Sequence, residues 1–184
     1  MSKAVMISIK PKWVELIASG RKTVEVRKTR PKIDVPFKCY IYCTKPSYEH
    51  EDFFVIDAGT ERERDFYGGG KVVGEFVCGK IGDYVEGFSF NYENVCISLR
   101  VQACLTQKEV WDYSGGKDLY GWYISNLKIY DKPKELSEFY LVCNRAGCLG
   151  CNHYKFNGST NRYRCVRNVT RPPQSYFYVE ELGE

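Results

Sequence analysis

Alternating hydrophobic and polar positions predict a strand and a helix at the start of this chain. The segment "KAVMISIK" alternates and is rich in β-branched residues, which is typical of a strand. Pro11 then opens "PKWVELIASG", in which Trp13, Leu16 and Ile17 recur on one face of a helix. Gly20 follows at the position of a left-handed helix stop. The first twenty residues are therefore predicted to form a strand, a short amphipathic helix and a turn.

Five later segments have the strand pattern, and one has the helix pattern. Residues 105–116, "LTQKEVWDYSGG", place Thr106 at an N-cap and Gly115 at a stop, which predicts a second helix. Gly74, inside a strand pattern, predicts a bulge or a close backbone approach, and Pro133 in "DKPKEL" predicts a turn. The predicted strands are "KTVEVRK" (22–28), "FKCYIYCTK" (37–45), "GKVVGEFVCGKI" (70–81), "YGWYISNLKIY" (120–130) and "PPQSYFYVEEL" (172–182).

The order of these elements predicts the fold class. At least five or six strands and two short helices, without regular βαβ alternation, favour an α+β fold that is mainly β: a closed or nearly closed barrel with flanking helices. The polar excursion at 46–70 is predicted to be a lid, a binding loop or a disordered insertion. We expect the barrel to comprise residues 1–138 and 169–184, with a small cysteine-rich module inserted at 139–168.

Composition narrows the class of protein. The chain has 184 residues, of which 43% are hydrophobic and 15% aromatic, enough for one domain with an apolar core. Its first residues lack the apolar run of a signal peptide, and no stretch of about eighteen apolar residues predicts a membrane span. We therefore expect a soluble, cytoplasmic protein with no membrane partner. In a reducing cytosol, scattered cysteines are expected in the core, whereas clustered ones indicate metal.

Charge is divided along the chain. Residues 1–38 have ten basic and three acidic side chains, residues 39–138 have eleven basic and seventeen acidic ones, and residues 139–171 have six basic and no acidic ones. Two basic segments that flank an acidic middle favour a localised anionic partner, such as RNA or another single-stranded nucleic acid. The alternative is two solvated basic faces without a partner.

The first basic segment contains a motif. After the first predicted helix, "SGRKTVEVRK" places Lys22, Glu25 and Arg27 at the spacing G-x-K-x-x-E-x-R, starting at Gly20. With the strand and helix before it, and "GKVVGEFVC" and "RPPQSYFYVEEL" after it, this segment resembles the ASCH domain family of the PUA-like superfamily, in its bacterial and phage type. The resemblance implies a β-barrel with a cleft, lined by the motif, that receives a nucleotide or a flipped base.

The resemblance also implies functions linked to RNA. We therefore expect the protein to bind RNA, or a nucleoside or nucleotide, through a base that is modified or unmodified. Lys22 and Arg27 are expected to bind phosphate, the arginine as a planar fork and the lysine as a point charge. Glu25 is expected to accept hydrogen bonds from amino groups on the edge of a base.

The strand at 37–45 is expected to complete the cleft. Tyr40 or Tyr42, whichever faces the cleft, would stack on the base, and such stacking contributes about 1–3 kcal/mol per base. Lys45, at the end of the strand, would add a phosphate contact. The simpler interpretation is that Glu25 and Arg27 form an exposed ion pair of about 0–1 kcal/mol, without a ligand.

Enzymatic activity is the alternative function. One bacterial branch of the family resembles an amidohydrolase of acetylated cytidine, and other members are described as nucleic-acid hydrolases. In the amidohydrolase branch a threonine nucleophile stands three positions after the motif lysine, where this sequence has Glu25. A carboxylate does not replace a hydroxyl nucleophile, but beside Lys22 it would act as a general base on water. Lys22 and Glu25 are therefore the catalytic candidates if the protein is a hydrolase.

The second informative segment is cysteine-rich, "CNRAGCLGCNHYKFNGSTNRYRC" (143–165). Its C-x2-C step lets two thiolates bind one tetrahedral Zn²⁺, and Asn157-Gly158 predicts a hairpin that returns the last cysteine. A segment this small cannot fold alone, so a structural Zn²⁺ would supply its folding free energy. The alternative is a cysteine-rich loop without metal. The predicted ligands are Cys143, Cys148, Cys151 and Cys165, with His153 as the alternative to Cys143.

Overall fold

The computed structural model describes residues 2–45, 53–56, 64–83, 99–142, 154–157, 162–165 and 167–183. Its strands are β1 (Lys3–Ile9), β2 (Val24–Arg27), β3 (Phe37–Cys43), β4 (Phe53–Ile56), β5 (Arg64–Tyr67), β6 (Val72–Asp83), β7 (Tyr120–Lys134), β8 (Tyr154–Asn157), β9 (Arg162–Cys165) and β10 (Tyr176–Glu180). Its helices are α1 (Pro11–Ala18), α2 with described residues 99–103, α3 (Gln107–Ser114) and a 3₁₀ helix (Leu136–Glu138). No helix in these ranges is long and apolar enough to cross a bilayer.

Six strands form one mixed sheet in the order β10–β1–β3–β6–β7–β2. Strands β1 and β3 are parallel, and the other neighbouring pairs are antiparallel. Of the predicted closed or nearly closed barrel, the closed form is wrong: the sheet is open, and within the described ranges no backbone ladder joins edge strands β2 and β10. Because β2 has only four residues, its ladder with β7 is short. A side chain spans the gap to β1 instead, since Arg27 Nη2 donates a hydrogen bond to the Ser8 carbonyl oxygen at 2.6 Å.

A hydrophobic core covers each face of this sheet, so polar side chains point away from these cores. One face packs against α1 and buries Val14 and Ile17. The other face buries Tyr40 against Phe139, with ring centres 4.9 Å apart. The two valines of β2 enter a third core with residues of α2 and α3. Because side chains alternate along a strand, the polar residues of β2 point to its other side.

The predicted strands, helices and turn residues are largely confirmed. Gly20 has φ +73° directly after α1, as a left-handed stop requires. Helix α3 begins with a capping box, in which the Thr106 side chain accepts from the Glu109 backbone N–H and the Glu109 side chain accepts from the Thr106 backbone N–H. A Cβ on Gly74 would lie 2.6 Å from the Lys128 carbonyl oxygen, which confirms the close backbone approach.

The predicted turn around Pro133 is wrong, because β7 continues to Lys134. The ladder between β6 and β7 shifts its register here: Val72 pairs with Lys134, whereas Gly74 pairs with Ile129. Proline is tolerated at such a bulge because its missing N–H is not needed by the ladder. The excursion between β3 and β6, predicted as a loop, contains the antiparallel pair β4–β5.

The segment predicted as an inserted module leaves and rejoins the rest of the fold at neighbouring positions. Tyr140 and Asn168 form an antiparallel bridge, and further on β8 and β9 form an antiparallel pair. Asn157 is the last residue of β8 and pairs with Arg162, so it lies in the strand rather than at the centre of the turn. The zinc site stays a prediction, because the described part of this segment includes only the backbone of Cys165 among the predicted ligands. The others, Cys143, Cys148, Cys151 and His153, lie outside the described residues.

Candidate functional site

The motif residues Lys22, Glu25 and Arg27 lie together at the base of a cleft. The two valines of β2 face helices α2 and α3, so Glu25 and Arg27 point to the opposite side of the strand. In the ladder between β2 and β7, Glu25 is paired with the buried Trp122. Lys22 precedes the strand, and its backbone N–H donates to the Leu16 carbonyl oxygen at 2.8 Å. The three side chains are only 2%, 7% and 6% exposed. Glu25 and Arg27 do pair with each other, as the simpler interpretation expected, but the pair is buried rather than exposed.

The Glu25 carboxylate lies between the two cations. Lys22 Nζ is 3.3 Å from Glu25 Oε2, and Arg27 Nε is 3.2 Å from Glu25 Oε1. Lys22 Nζ also donates to the Ala103 carbonyl oxygen at 2.8 Å, and Arg27 Nη2 donates to Ser8, as described above. The N–H of Arg27 Nε is not aligned with the carboxylate and has no acceptor among the described residues. Two cations and one carboxylate leave one net positive charge buried here.

The cleft above this cluster has a volume of about 800 Å³, within the usual range for a small-molecule site. Two aromatic side chains line it, Trp13 from α1 and Tyr113 from α3. Burial raises the pKa of the Tyr113 phenol, so this hydroxyl is neutral at physiological pH. The other polar residues that line the cleft are Ser8, Lys10, Lys28, Thr29, Thr44, Glu109, Asp112, Gln174 and Ser175.

The predicted contacts on β3 do not reach this cleft. Tyr40 and Tyr42 are buried in the core on the other face of the sheet, away from α1. The Tyr40 hydroxyl accepts a hydrogen bond from the Leu182 backbone N–H at 2.8 Å, and burial raises the pKa of Tyr40. Lys45 is exposed and is not among the residues that line the cleft. These three residues therefore have no place in the binding site proposed below.

The two aromatic residues that line the cleft, Trp13 and Tyr113, were predicted only as parts of helices and not as site residues. Trp13 was predicted on the apolar face of α1, yet it lies beside Lys22, with Lys22 Nζ 5.2 Å from its ring centre. Its position on the helix between β1 and the motif, about two turns before the motif, was a usable signal. Tyr113 is far from the motif in sequence and gave no such signal. An ion pair of 3.2 Å between Lys12 and Glu109 joins the two helices that carry these aromatic residues.

Comparison with known proteins identifies the family and the fold. A family model described as "ASCH domain" matches residues 7–139. The ASCH protein of Zymomonas mobilis is similar in structure, with a TM-score of 0.51 and 19% identity over 72% of this chain and 73% of that chain. A serine-to-alanine variant of that protein gives a TM-score of 0.57 and 17% identity, over 97% and 89% of the two chains. At such identities the likeness shows the fold alone. No curated protein matches the sequence.

Proposed function

Because this chain belongs to the ASCH domain family, we propose that it binds RNA or a nucleotide and that its cleft receives one base, modified or unmodified. The observation that carries the proposal is the buried cluster of Lys22, Glu25 and Arg27, with its net positive charge, below two aromatic walls. A nucleotide combines the two chemical features that such a cleft favours, a flat ring and an anionic group.

Lys22 and Arg27 are proposed to attract the phosphate. Their charges are incompletely balanced by Glu25, and a buried charge is stabilised strongly by a counterion in a site of low dielectric constant. Glu25 contacts a cation with each carboxylate oxygen, so its first role is to hold the two cations in position. Each carboxylate oxygen has a second acceptor position, which an amino group on the base would use.

Trp13 and Tyr113 are proposed to contact the faces of the base. Base–aromatic stacking contributes about 1–3 kcal/mol per base and tolerates any base, because every base has a π-face. The neutral Tyr113 hydroxyl also offers a donor and an acceptor at the base edge. These two residues take the role that the sequence had suggested for a tyrosine of β3.

Titration of nucleoside monophosphates and short RNAs against wild type and a Tyr113→Ala variant tests this proposal. Loss of one stacking contact is expected to weaken binding by about 5- to 150-fold, which corresponds to about 1–3 kcal/mol. Trp111→Ala is the matched control, because Trp111 is on the same helix, is 62% exposed and does not line the cleft. Equal affinity of wild type and Tyr113→Ala, or no binding of any nucleotide by wild type, would contradict the proposal.

Hydrolysis of modified nucleosides or nucleic acid is the alternative, with Lys22 and Glu25 as the catalytic residues. Its support is that Glu25 lines the cleft and Lys22 is 3.3 Å from it. The contact of both carboxylate oxygens with cations favours a holding role for Glu25 over proton transfer. Product formation scored separately from binding distinguishes the two functions. Turnover by wild type that is lost in Lys22→Ala and in Glu25→Gln would establish the enzyme.

We also propose that residues 139–168 are an insertion with a structural Zn²⁺. The bridge between Tyr140 and Asn168 supports the insertion, since the segment starts and ends at paired positions. The pair β8–β9 supports a hairpin that returns Cys165 toward the start of the module. The donor set of thiolates suits Zn²⁺, which would hold the module in one conformation. The proposed ligands are Cys143, Cys148, Cys151 and Cys165, with His153 in place of Cys143 as the alternative.

A further inference from the structure

A row of basic side chains leaves the cleft along the segment that follows β2. Lys28, Arg30 and Lys32 occupy alternate positions of this segment, and all three are exposed. Lys28 lines the cleft, so the row begins at its edge. An extended chain spans at most about 3.6 Å per residue, and this segment bends at Lys28, Thr29 and Lys32, so the row spans less than about 14 Å from Lys28 to Lys32. Arg30 and Lys32 are not among the residues that line the cleft.

Tyrosines of β10 hold the backbone of this row in place. The Tyr176 hydroxyl donates a hydrogen bond to the Arg30 carbonyl oxygen at 3.0 Å, and the Lys32 backbone N–H donates to the Tyr178 hydroxyl at 2.6 Å. The Arg30 guanidinium lies 5.8 Å from the centre of the Tyr120 ring. The segment that carries the three cations is thus held against β10 by hydrogen bonds of its backbone.

The basic residues of the row and the acidic residues of the cleft differ in whether they form ion pairs. Within the described ranges none of the three cations of the row forms an ion pair. Helix α3 contributes the acidic Glu109 and Asp112 to the lining of the cleft, and each of them is paired with a lysine, Glu109 with Lys12 and Asp112 with Lys108. A polyanion that enters the cleft is therefore attracted toward the basic row.

We propose that the cleft binds one nucleotide of a longer single strand, and that Lys28, Arg30 and Lys32 bind the phosphates of the next nucleotides. This inference rests on the proposed nucleotide-binding function and adds the class of ligand: an oligonucleotide rather than a free nucleoside or nucleotide. Its backbone leaves the cleft along the basic row.

The test compares a nucleoside 5′-monophosphate with oligouridylate and oligothymidylate of about eight nucleotides, a usual length for a single-strand site. The variant is the double substitution Arg30→Gln and Lys32→Gln, which spares Lys28 because Lys28 lines the cleft. Each lost phosphate contact lowers the slope of log affinity against log salt by about 0.7, so two contacts lower it by about 1.4 and weaken oligonucleotide binding about 25-fold at 0.1 M salt. Affinity for the monophosphate is expected to stay within about twofold, because neither residue lines the cleft.

The control is the double substitution Lys128→Gln and Lys132→Gln, which removes the same charge from exposed positions of β7 that do not line the cleft. An equal loss of oligonucleotide affinity in the control would overturn the inference, because net charge alone would then explain it. Wild-type protein that binds monophosphate and oligonucleotide equally well would overturn the inference and leave the proposed function intact. Absence of binding to all three ligands would overturn both. Comparison of the RNA and DNA arms decides which nucleic acid is preferred.

Discussion

Replacing Glu25 with glutamine keeps the size of the side chain and removes the negative charge between Lys22 and Arg27. Both cations are almost fully buried, at 2% and 6% exposure, and the Arg27 Nε–H already lacks an acceptor among the described residues. The variant therefore leaves two like charges in the protein interior without a counterion. The amide oxygen of glutamine still accepts one hydrogen bond, but it cannot balance a charge.

The size of the effect follows from this burial. Removal of one partner from a buried ion pair costs about 3–5 kcal/mol, because the remaining charge stays desolvated. The same change in an exposed ion pair costs about 0–1 kcal/mol. For a chain of this length each kcal/mol shifts the melting temperature by about 2–4 °C, so Glu25→Gln is expected to lower it by about 6–20 °C.

Urea and thermal denaturation of wild type and variant measure this difference. Glu15→Gln is the control, since it makes the same chemical change in an exposed ion pair, in which Arg21 lies 3.7 Å from Glu15. The control is expected to lose at most about 1 kcal/mol. If Glu25→Gln lost no more than Glu15→Gln, the cluster would be solvated in solution, and the argument for a buried positive charge at the base of the cleft would fail.

Two further predictions concern the proposed zinc module and the core around Tyr40 and Phe139. Freshly purified protein is expected to contain about one Zn²⁺ per chain by elemental analysis, and a chelator is expected to lower the melting temperature; protein without zinc, with the four predicted cysteines free, would contradict the metal site. Burial and a 2.6 Å hydrogen bond to Glu75 raise the pKa of Tyr130 above its ordinary value of 10.0. The unfolded chain therefore loses this proton first as the pH rises above about 10, and the free energy of unfolding falls there. Tyr130→Phe should make that fall shallower in urea denaturation between about pH 8 and pH 11, and an unchanged slope would refute the assignment.

Local interactions along the chain determined the elements and the motif. The β-branched run of β1, the proline and glycine at the two ends of α1, and the capping box of Thr106 and Glu109 act over a few residues, so the sequence alone predicts them. The alternation of side chains along a strand placed Glu25 and Arg27 on one side of β2 and the valines on the other. It also placed Tyr40 and Tyr42 together, but alternation cannot say which face of a strand meets a cleft.

Tertiary packing decided the rest. The face of β3 that carries Tyr40 and Tyr42 is covered by the core around Phe139, so the cleft obtains its aromatic walls from Trp13 and Tyr113 instead. Burial of the motif depends on contacts distant in sequence, such as that of Lys22 with Ala103 on α2. The sheet stays open because β2 pairs along four residues with β7 and meets β1 through a side chain. Strand pairing and burial depend on segments that meet only in the folded chain, and for that reason the local pattern predicted the motif but not its surroundings.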